Sequence, residues 1–380
     1  MTYQFRIKKK LNDIDPEQWN KFCPSDNPFL EYNFLNTLET SGCVGSIETG
    51  WIPRHIEITK NGTVVGFLPL YEKHDSYGEY IFDWGWARAA SQAGLKYYPK
   101  LVSAIPFTPV TGARLLSQTQ EQNEIAPSLN TFLLELIKKG NYSSMHILFC
   151  EEQEQNMWAQ HGYIPRLSHQ FHWANRGWDT FSAFLDALRS DSRKKIRKER
   201  MSVYKACDTI VMKKGNEIDD NEWGLMWEFY RQTIYEKFAR PYLNRVFFNS
   251  IKTNFAHRIV CAFAYKNDEI IAGALFFYKQ KRLFGRYWGT RTNVSFLHFE
   301  LCYYKPIEWC TENGFLYYEA GAQGIHKLKR GMQPSPCYSA HHIENPLLAN
   351  GVERFIVHEQ ELIQEDIFLL EQHGPFKHLD

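Results

Sequence analysis

The sequence predicts a mixed α/β fold in which one order of elements is laid down twice. Three observations lead there. Segments with helical and strand periodicity alternate along the chain, which argues for mixed sheets over a bundle or a sandwich. Two hairpin signals, Asn61-Gly62 and Asn267-Asp268, occupy corresponding places in the two halves. After each comes a strand, then an amphipathic helix, then a short apolar strand. Each copy should therefore be a mixed sheet with a hairpin, a crossing helix and a buried strand.

The elements follow in order. Asp15 caps a helix from Pro16 to Cys23, and a second helix covers Asn33 to Thr40. Arg54 to Thr59 and Thr63 to Tyr71 are the arms of the first hairpin. Tyr77 to Trp86 is aromatic and polar at once, with Trp84 and Trp86 on one side of an extended segment. Lys100 to Phe107 is strand-like and runs into the small-residue loop TPVTGARLL. Pro127 to Lys139 is amphipathic, with Leu129, Phe132, Leu133, Leu136 and Ile137 on one face. Ser144 to Cys150 is a buried strand, and Glu151 to His161 a helix closed by Gly162.

The pattern then returns. Helices are expected at Asp179–Leu188, Glu222–Lys237 and Leu297–Asn313. Arg258 to Tyr265 and Glu269 to Tyr278 form the second hairpin, Arg282 to Gly289 a strand, and Phe315 to Ala320 a buried strand. The domain boundary falls near 166–175. That gives an N-terminal domain over 1–170, a C-terminal domain over 171–350, and a tail over 351–380 packing on them.

Composition narrows the function classes. The 380 residues are 44% hydrophobic and include 27 Phe, 21 Tyr and 11 Trp, ample for a large core. With 44 Lys and Arg against 43 Asp and Glu, the net charge is +1, so attraction to nucleic acid or anionic membrane must be local. No apolar stretch is long enough to span a bilayer, and MTYQFRIKKK lacks the apolar run of a signal peptide. The eight cysteines are scattered without a CxxC pair, which argues against a zinc site or a disulfide framework. The expectation is a cytoplasmic protein with no membrane span and no metal.

Several blocks carry a family resemblance. MWAQHGY after a strand and helix looks like the helix ending of GNAT-type N-acyltransferases, and the Thr111-Gly112-Ala113-Arg114 loop stands where that family has its pyrophosphate loop. YGEYIFDWGWARA, GLKYYPKLVSAIPFTPVTGARLL, SRKKIRKER, GRYWG, LHFELCYY and EAGAQGIHKLKRG together resemble the FemAB-like, peptidoglycan-biosynthesis-related group of predicted N-acyltransferases. The resemblance covers about residues 4–350 and implies a tandem GNAT-like fold of two similar domains. It implies transfer of an acyl or aminoacyl group, with acyl-CoA or aminoacyl-tRNA as donor and no permanently bound cofactor. Thr111, Gly112 and Arg114 would then face a donor's phosphates. One departure is Ile325, where the family pattern leads one to expect Glu.

Acyl transfer to an amine needs a group to take the amine proton and donors to hold the developing oxyanion. No covalent enzyme intermediate is required, in keeping with the lack of a GxSxG elbow. Glu319, at the end of strand FLYYE, and His298 and Glu300, around Phe299, are the candidate bases. For Glu319 the alternative is a structural ion pair with Arg330 or Lys327. For His298 it is a hydrogen-bonded helix histidine. Gln323, His326, Lys327 and Arg330 cluster where a helix opens, a place for a substrate phosphate or carboxylate, with a solvated basic first turn as the alternative. Asp83, Trp84 and Trp86 form a second substrate-binding candidate, with core packing as the alternative.

RKKIRKER, residues 193–200, carries six cations and one acid. Lys194, Arg197 and Lys198 share a helix face by their spacing and would bind the phosphates of coenzyme A, the tRNA backbone or lipid headgroups, unless the run is a solvated helix face. The acceptor would be a small-molecule amine or a peptide. A non-catalytic protein that recognises an amino-sugar or peptide in an aromatic cleft is the alternative function.

Overall fold

The computed structural model describes residues 2–377 except Phe82, Phe238, Ala322 and Gln323. Gln323, an expected binding residue, therefore lies outside the described residues. The chain begins with β1 (Tyr3–Lys8), α1 (Pro16–Lys21) and α2 (Tyr32–Thr40). Next come β2 (Trp51–Pro53), β3 (His55–Lys60), β4 (Thr63–Leu68), β5 (Tyr71–Lys73), α3 (Trp84–Gln92) and β6 (Lys100–Ser103). β7 (Leu116–Ser117), α4 (Thr119–Gly140), β8 (Ser144–Cys150), α5 (Glu152–Ala159) and β9 (Ile164–Ala174) follow. Then come α6 (Phe181–Ala187), α7 (Ser190–Ala206), β10 (Thr209–Lys214), α8 (Asp220–Glu236) and α9 (Arg245–Asn254). β11 (Ile259–Lys266), β12 (Glu269–Lys279) and β13 (Arg282–Thr290) lead to α10 (Leu297–Phe299), a π turn (Glu300–Tyr304) and α11 (Lys305–Glu312). The chain ends with β14 (Tyr317–Glu319), a 3-10 turn (Ile325–Arg330), β15 (Gln333–Ile343) and α12 (Pro346–Gln372).

Two compact units divide these elements. Unit one comprises Met1–His169 with Pro336–Glu365, and unit two comprises Gln170–Ser335 with Asp366–Asp380. The first crossing, between His169 and Gln170, lies inside the unbroken strand β9, not in a linker. The expected tail is also different. Residues 336–365 are built into unit one, with β15 supplying a strand and α12 a long helix.

In unit one the hairpin β3–β4 turns on Asn61 and Gly62, with φ of 52° and 82°, the backbone that an Asn-Gly pair adopts readily. Its strands lie in a four-stranded sheet of order β1-β3-β4-β7, separate from the ladder β9-β15-β8-β6-β5-β2. The hairpin and the buried strand were expected in one sheet; in this unit they occupy two. β6 pairs parallel with β8, and α4 is the crossover between them. Leu129, Leu133 and Ile137 of α4 pack with Ile56, Leu101, Met145 and Ile147. α4 starts at Thr119 and holds Pro127 in its interior, so the helix-forming run TQEQNEIA extends it beyond the predicted start.

Unit two has the ladder β10-β11-β12-β13-β14-β9. Asn267 and Asp268 both take positive φ at the tip of the β11–β12 hairpin. β13 is bulged opposite Leu275 and Phe276, leaving Arg286 as the extra residue. β13 and β14 run parallel, joined by α10, the π turn and α11. Phe276, Leu283, Leu301, Tyr304, Ile307 and Tyr318 belong to the core beneath that crossover.

Candidate functional site

The site of unit two grows from a fork in its sheet. β13 and β14 pair only from Arg282 to Phe284 against Tyr317 to Glu319, and β13 then runs on to Thr290 paired with β12. Past Glu319 the chain leaves the sheet through Gly321 and Gly324, with φ of 84° and 117°. Gly324 is required twice over, because a Cβ there would also lie 2.5 Å from the His326 ring. The 3-10 turn that follows sets Ile325, His326, Lys329 and Arg330 along a cavity of about 830 Å³. Phe296, Phe299, Lys195, Lys198, Glu199 and residues of the C-terminal helix complete its walls.

Two imidazoles stand at this place. The His326 ring contacts the Tyr303 hydroxyl through Nε2 at 2.9 Å. Burial, then the nearby Arg330 and Lys327 charges, hold its pKa below the ordinary value of 6.5. The His298 ring lies 4.5 Å from Trp288 and 6.3 Å from His326, and burial holds it at about 4. Both rings are therefore neutral at pH 7 and able to take a proton. The Tyr303 phenol, whose pKa burial raises, keeps its proton and orients His326. In the tautomer whose Nε2–H donates to the Tyr303 oxygen, the lone pair of His326 is on Nδ1.

The cations differ in exposure. Lys327 is buried, donates from Nζ to the Gly321 carbonyl at 2.6 Å, and is lowered to about 8 by desolvation. Arg330, also buried, lies 3.4 Å over the Phe299 ring and donates to the His326 carbonyl at 2.8 Å. Its Nη2 donates to both oxygens of Glu199 at 3.0 and 3.1 Å. Arg330 is thus the brace that ties the 3-10 turn to α7.

α7 presents the basic run as predicted, on a helix, with Lys194, Arg197 and Lys198 exposed. Lys198 lines the cavity. Arg197 lies 4.0 Å from Asp186, a weak exposed pair. Arg200, at the inward end, holds Glu300 and Glu308 at 3.0 Å each.

The carboxylates expected as bases have partners of their own. Glu319 accepts from Arg282 at 2.6 Å and has His172 at 3.8 Å. The partner is thus Arg282, not Arg330 or Lys327. Glu300 is fully buried in the π turn and gripped by Arg200 through Nε and Nη2. Burial raises its pKa, and Arg200 offsets part of that rise. Neither carboxylate lines the cavity.

The unit-one candidates are also held by neighbours. Trp84 and Trp86 lie in helix α3, not in an extended segment, so two residues of spacing turn them to different faces. Trp84 is exposed, while Trp86 is buried against His341 at 5.0 Å. Asp83 is buried and accepts from Lys100 and, at 2.7 Å, from the Tyr97 hydroxyl. Burial opposes its ionisation, but Lys100 outweighs it and keeps the carboxyl well below its usual range. The Gly112 amide donates to the Phe149 carbonyl, and the Thr111 hydroxyl faces the Cys337 sulfur. Arg114 is buried with its guanidinium on the carbonyls of Val110, Gly112, Ala113 and Leu148. Glu154 accepts from the Arg114 and Leu115 amides at 2.7 and 2.8 Å. A carboxylate of the protein itself thus occupies two donors of this loop.

The structure therefore brings His298, His326, Lys327, Arg330 and Lys198 together in unit two. Glu199, Phe299, Tyr303 and the helix residues Leu369 and Leu370 are additions that sequence reasoning missed. Glu199 alone left a signal, as the lone acid of the basic run.

Comparison with known proteins places these features in context. The FemAB-like family, described as peptidoglycan biosynthesis/recognition, matches residues 10–378. The crystal structure of FemX is 13% identical and covers 90% of this chain and 98% of its own, with a TM-score of 0.55. The C-terminal domain of a putative lysylphosphatidylglycerol synthetase from Agrobacterium fabrum is 10% identical, covering 91% and 97%, with a TM-score of 0.53. A conserved protein of unknown function from Bacteroides thetaiotaomicron is 10% identical, covering 89% and 99%, with a TM-score of 0.50. These likenesses show the fold expected from the sequence. No curated protein matches the chain. Among the described residues no helix is long and apolar enough to cross a membrane.

Proposed function

The chain belongs to the FemAB-like family, and we propose that within it the protein is an N-acyltransferase working at the unit-two cavity. The acyl or aminoacyl group moves from an activated carrier, acyl-CoA or aminoacyl-tRNA, to an amine. With a family described by peptidoglycan biosynthesis/recognition, an amine of a peptidoglycan precursor is the acceptor to try first. One observation carries the reading: a neutral imidazole, His326, and the cations Lys195, Lys198, Lys329 and Arg330 line one cavity large enough for a substrate, with the His298 ring 6.3 Å from His326.

In the reaction the amine nitrogen attacks the carbonyl carbon, a C–N bond forms and the carrier's C–S or C–O bond breaks. The proton of the attacking nitrogen goes to His326 Nδ1, and the leaving sulfur or oxygen departs as an anion that takes up a proton. His326 is preferred to His298 because it is exposed to the cavity and less depressed in basicity. Lys198 attracts the carrier's phosphates. Lys327 lends positive charge from beneath the turn, and Arg330 positions His326.

A transfer assay with acyl-CoA and aminoacyl-tRNA donors, read by mass spectrometry, tests the proposal. His326→Gln should lower kcat by ~10²–10⁴-fold with donor affinity kept. In the parent, kcat should fall as pH drops through the His326 pKa, below 6.5, and that limb should vanish in the variant. Glu319→Gln is the control. It should lower Tm by weakening the Arg282 pair and leave the pH profile in place. A collapse of kcat in Glu319→Gln with His326→Gln active would return the base role to Glu319. Peptide or amino-sugar binding without any transfer would favour the recognition function.

A further inference from the structure

The lining of the unit-two cavity has a chemistry more specific than its volume. Ile325 is 69% exposed, Leu369 45% and Phe296 39%, and all three stand on the cavity wall with the better-covered Phe299, Leu328 and Leu370. Exposed apolar side chains gathered at one concave place mark a binding surface. Phe296 adds a second sign. Its φ of 67° is a left-handed conformation that a bulky side chain rarely adopts, and strain of this kind concentrates at ligand sites.

Charge completes the pattern. Arg330 and Glu199 on the wall neutralise each other at 3.0 Å. That leaves Lys198 and Lys329, with Lys195 4.0 Å from Glu199, against Asp366, a positive rim on an apolar hollow. A small polar aminoacyl group would leave the hollow unfilled. A bare polyanion would satisfy the lysines and leave the apolar wall in water.

We infer that the cavity binds an anionic amphiphile, an extended apolar acyl chain carried as a thioester on a phosphorylated carrier of the acyl-CoA type. This deepens the proposed function and rests on it, since the chain bound here is the group transferred. The acyl carbon forms its bond to the acceptor nitrogen as the C–S bond breaks, and the carrier leaves as a thiol. Lys198 and Lys329 meet the phosphates at the rim, and Ile325, Phe296 and Leu369 cover the chain.

Calorimetric titration of the full chain with coenzyme A and its acetyl, octanoyl, lauroyl and palmitoyl thioesters tests this. Affinity should rise by about fourfold per methylene buried until the chain outgrows the cavity. Ile325→Ser, a neutral change at an exposed position, should flatten that dependence. Lys198→Gln should weaken all the thioesters by a similar factor and reduce their salt dependence. Palmitate binding as tightly as palmitoyl-CoA would overturn the phosphorylated carrier. Affinity independent of chain length, or transfer only from aminoacyl-tRNA, would overturn the inference and leave the acyltransferase reading standing. No binding and no transfer with any donor would overturn both.

Discussion

Glu79 shows how burial sets chemistry one residue at a time. In unit one, Lys73, Lys100, Glu79 and Asp83 are all buried. Lys100 Nζ donates to Glu79 at 2.8 Å, to Ser76 at 3.0 Å and to Asp83, and Lys73 donates to Asp75 at 3.1 Å. Desolvation pushes Glu79 up to about 7, against the pull of Lys100. The folded protein thus holds a proton on Glu79 that the unfolded chain releases near its ordinary 4.5. Folded and unfolded states differ most between those values, so this residue lowers stability as pH rises from 4.5 to 7. Glu79→Gln imitates the protonated form. It should be more stable than the parent at pH 8, by at most about 3 kcal/mol, with the gap shrinking toward pH 5. Urea unfolding at the two pH values reads the sign, and a gap that widens at pH 5 would refute it. At this scale the sequence reveals residue types better than partners. Asp83 among tryptophans is legible as a carboxylate needing a partner. That the partner is Lys100 depends on tertiary packing. Glu319 is legible as a strand end, but its pairing with Arg282 follows from the parallel register, in which Arg282 lies opposite Tyr317. No local pattern encodes that register.

At the scale of elements, α7 joins two roles on one helix. Its exposed cations Lys194, Arg197 and Lys198 face water or the cavity, whereas Arg200 faces two carboxylates, one of them fully buried. The two groups should separate by experiment. Replacing the three exposed cations by Gln should weaken binding of a phosphorylated donor and lessen its salt dependence, with Tm nearly unchanged. Arg200→Gln leaves Glu300 buried without its guanidinium partner, with the Tyr204 hydroxyl at 3.4 Å still donating to it, and should cost about 3–5 kcal/mol. An unchanged donor affinity and salt slope in the triple variant would make the outer face a solubility feature. Elements with strong local chemistry were legible, above all the two hairpins and strand β8. Others lacked a period to read. β1 (YQFRIK) is an edge strand with mostly solvated residues, so alternation is faint. The Trp84–Trp86 segment is helical because WARAA is a run of good helix formers, a local preference that its aromatic content hides.

At the scale of the whole molecule, the order of the chain and the division into units do not coincide. The chain passes from unit one to unit two inside β9, returns inside β15 and leaves again inside α12. Reading the sequence in halves could not show this, because β15 and α12 carry no pattern that ties them to strands 190 residues earlier. Within unit one the consequences are specific. β15 pairs with β8 from Tyr338↔Cys150 to Ile343↔Ser144, and His341 contacts His146 at 2.8 Å. Ile343, Leu348, Val352 and Ile356 form a core with Trp86 and Tyr97, and Glu359 holds the Arg166 guanidinium at 2.6 and 2.8 Å. A fragment ending at residue 170 loses all of these. It exposes the edge of β8, a strand whose seven residues are all buried, and strips the apolar cover from Trp86. The fragment 1–170 should therefore be insoluble or melt without cooperativity. A fragment 1–365 with 170–335 replaced by a short flexible linker should recover a cooperative transition, because it restores unit one complete. Circular dichroism and calorimetry on both fragments decide the matter. A cooperative melt of 1–170 alone would mean that β15 and α12 are accessories to a domain already complete in the first half of the sequence.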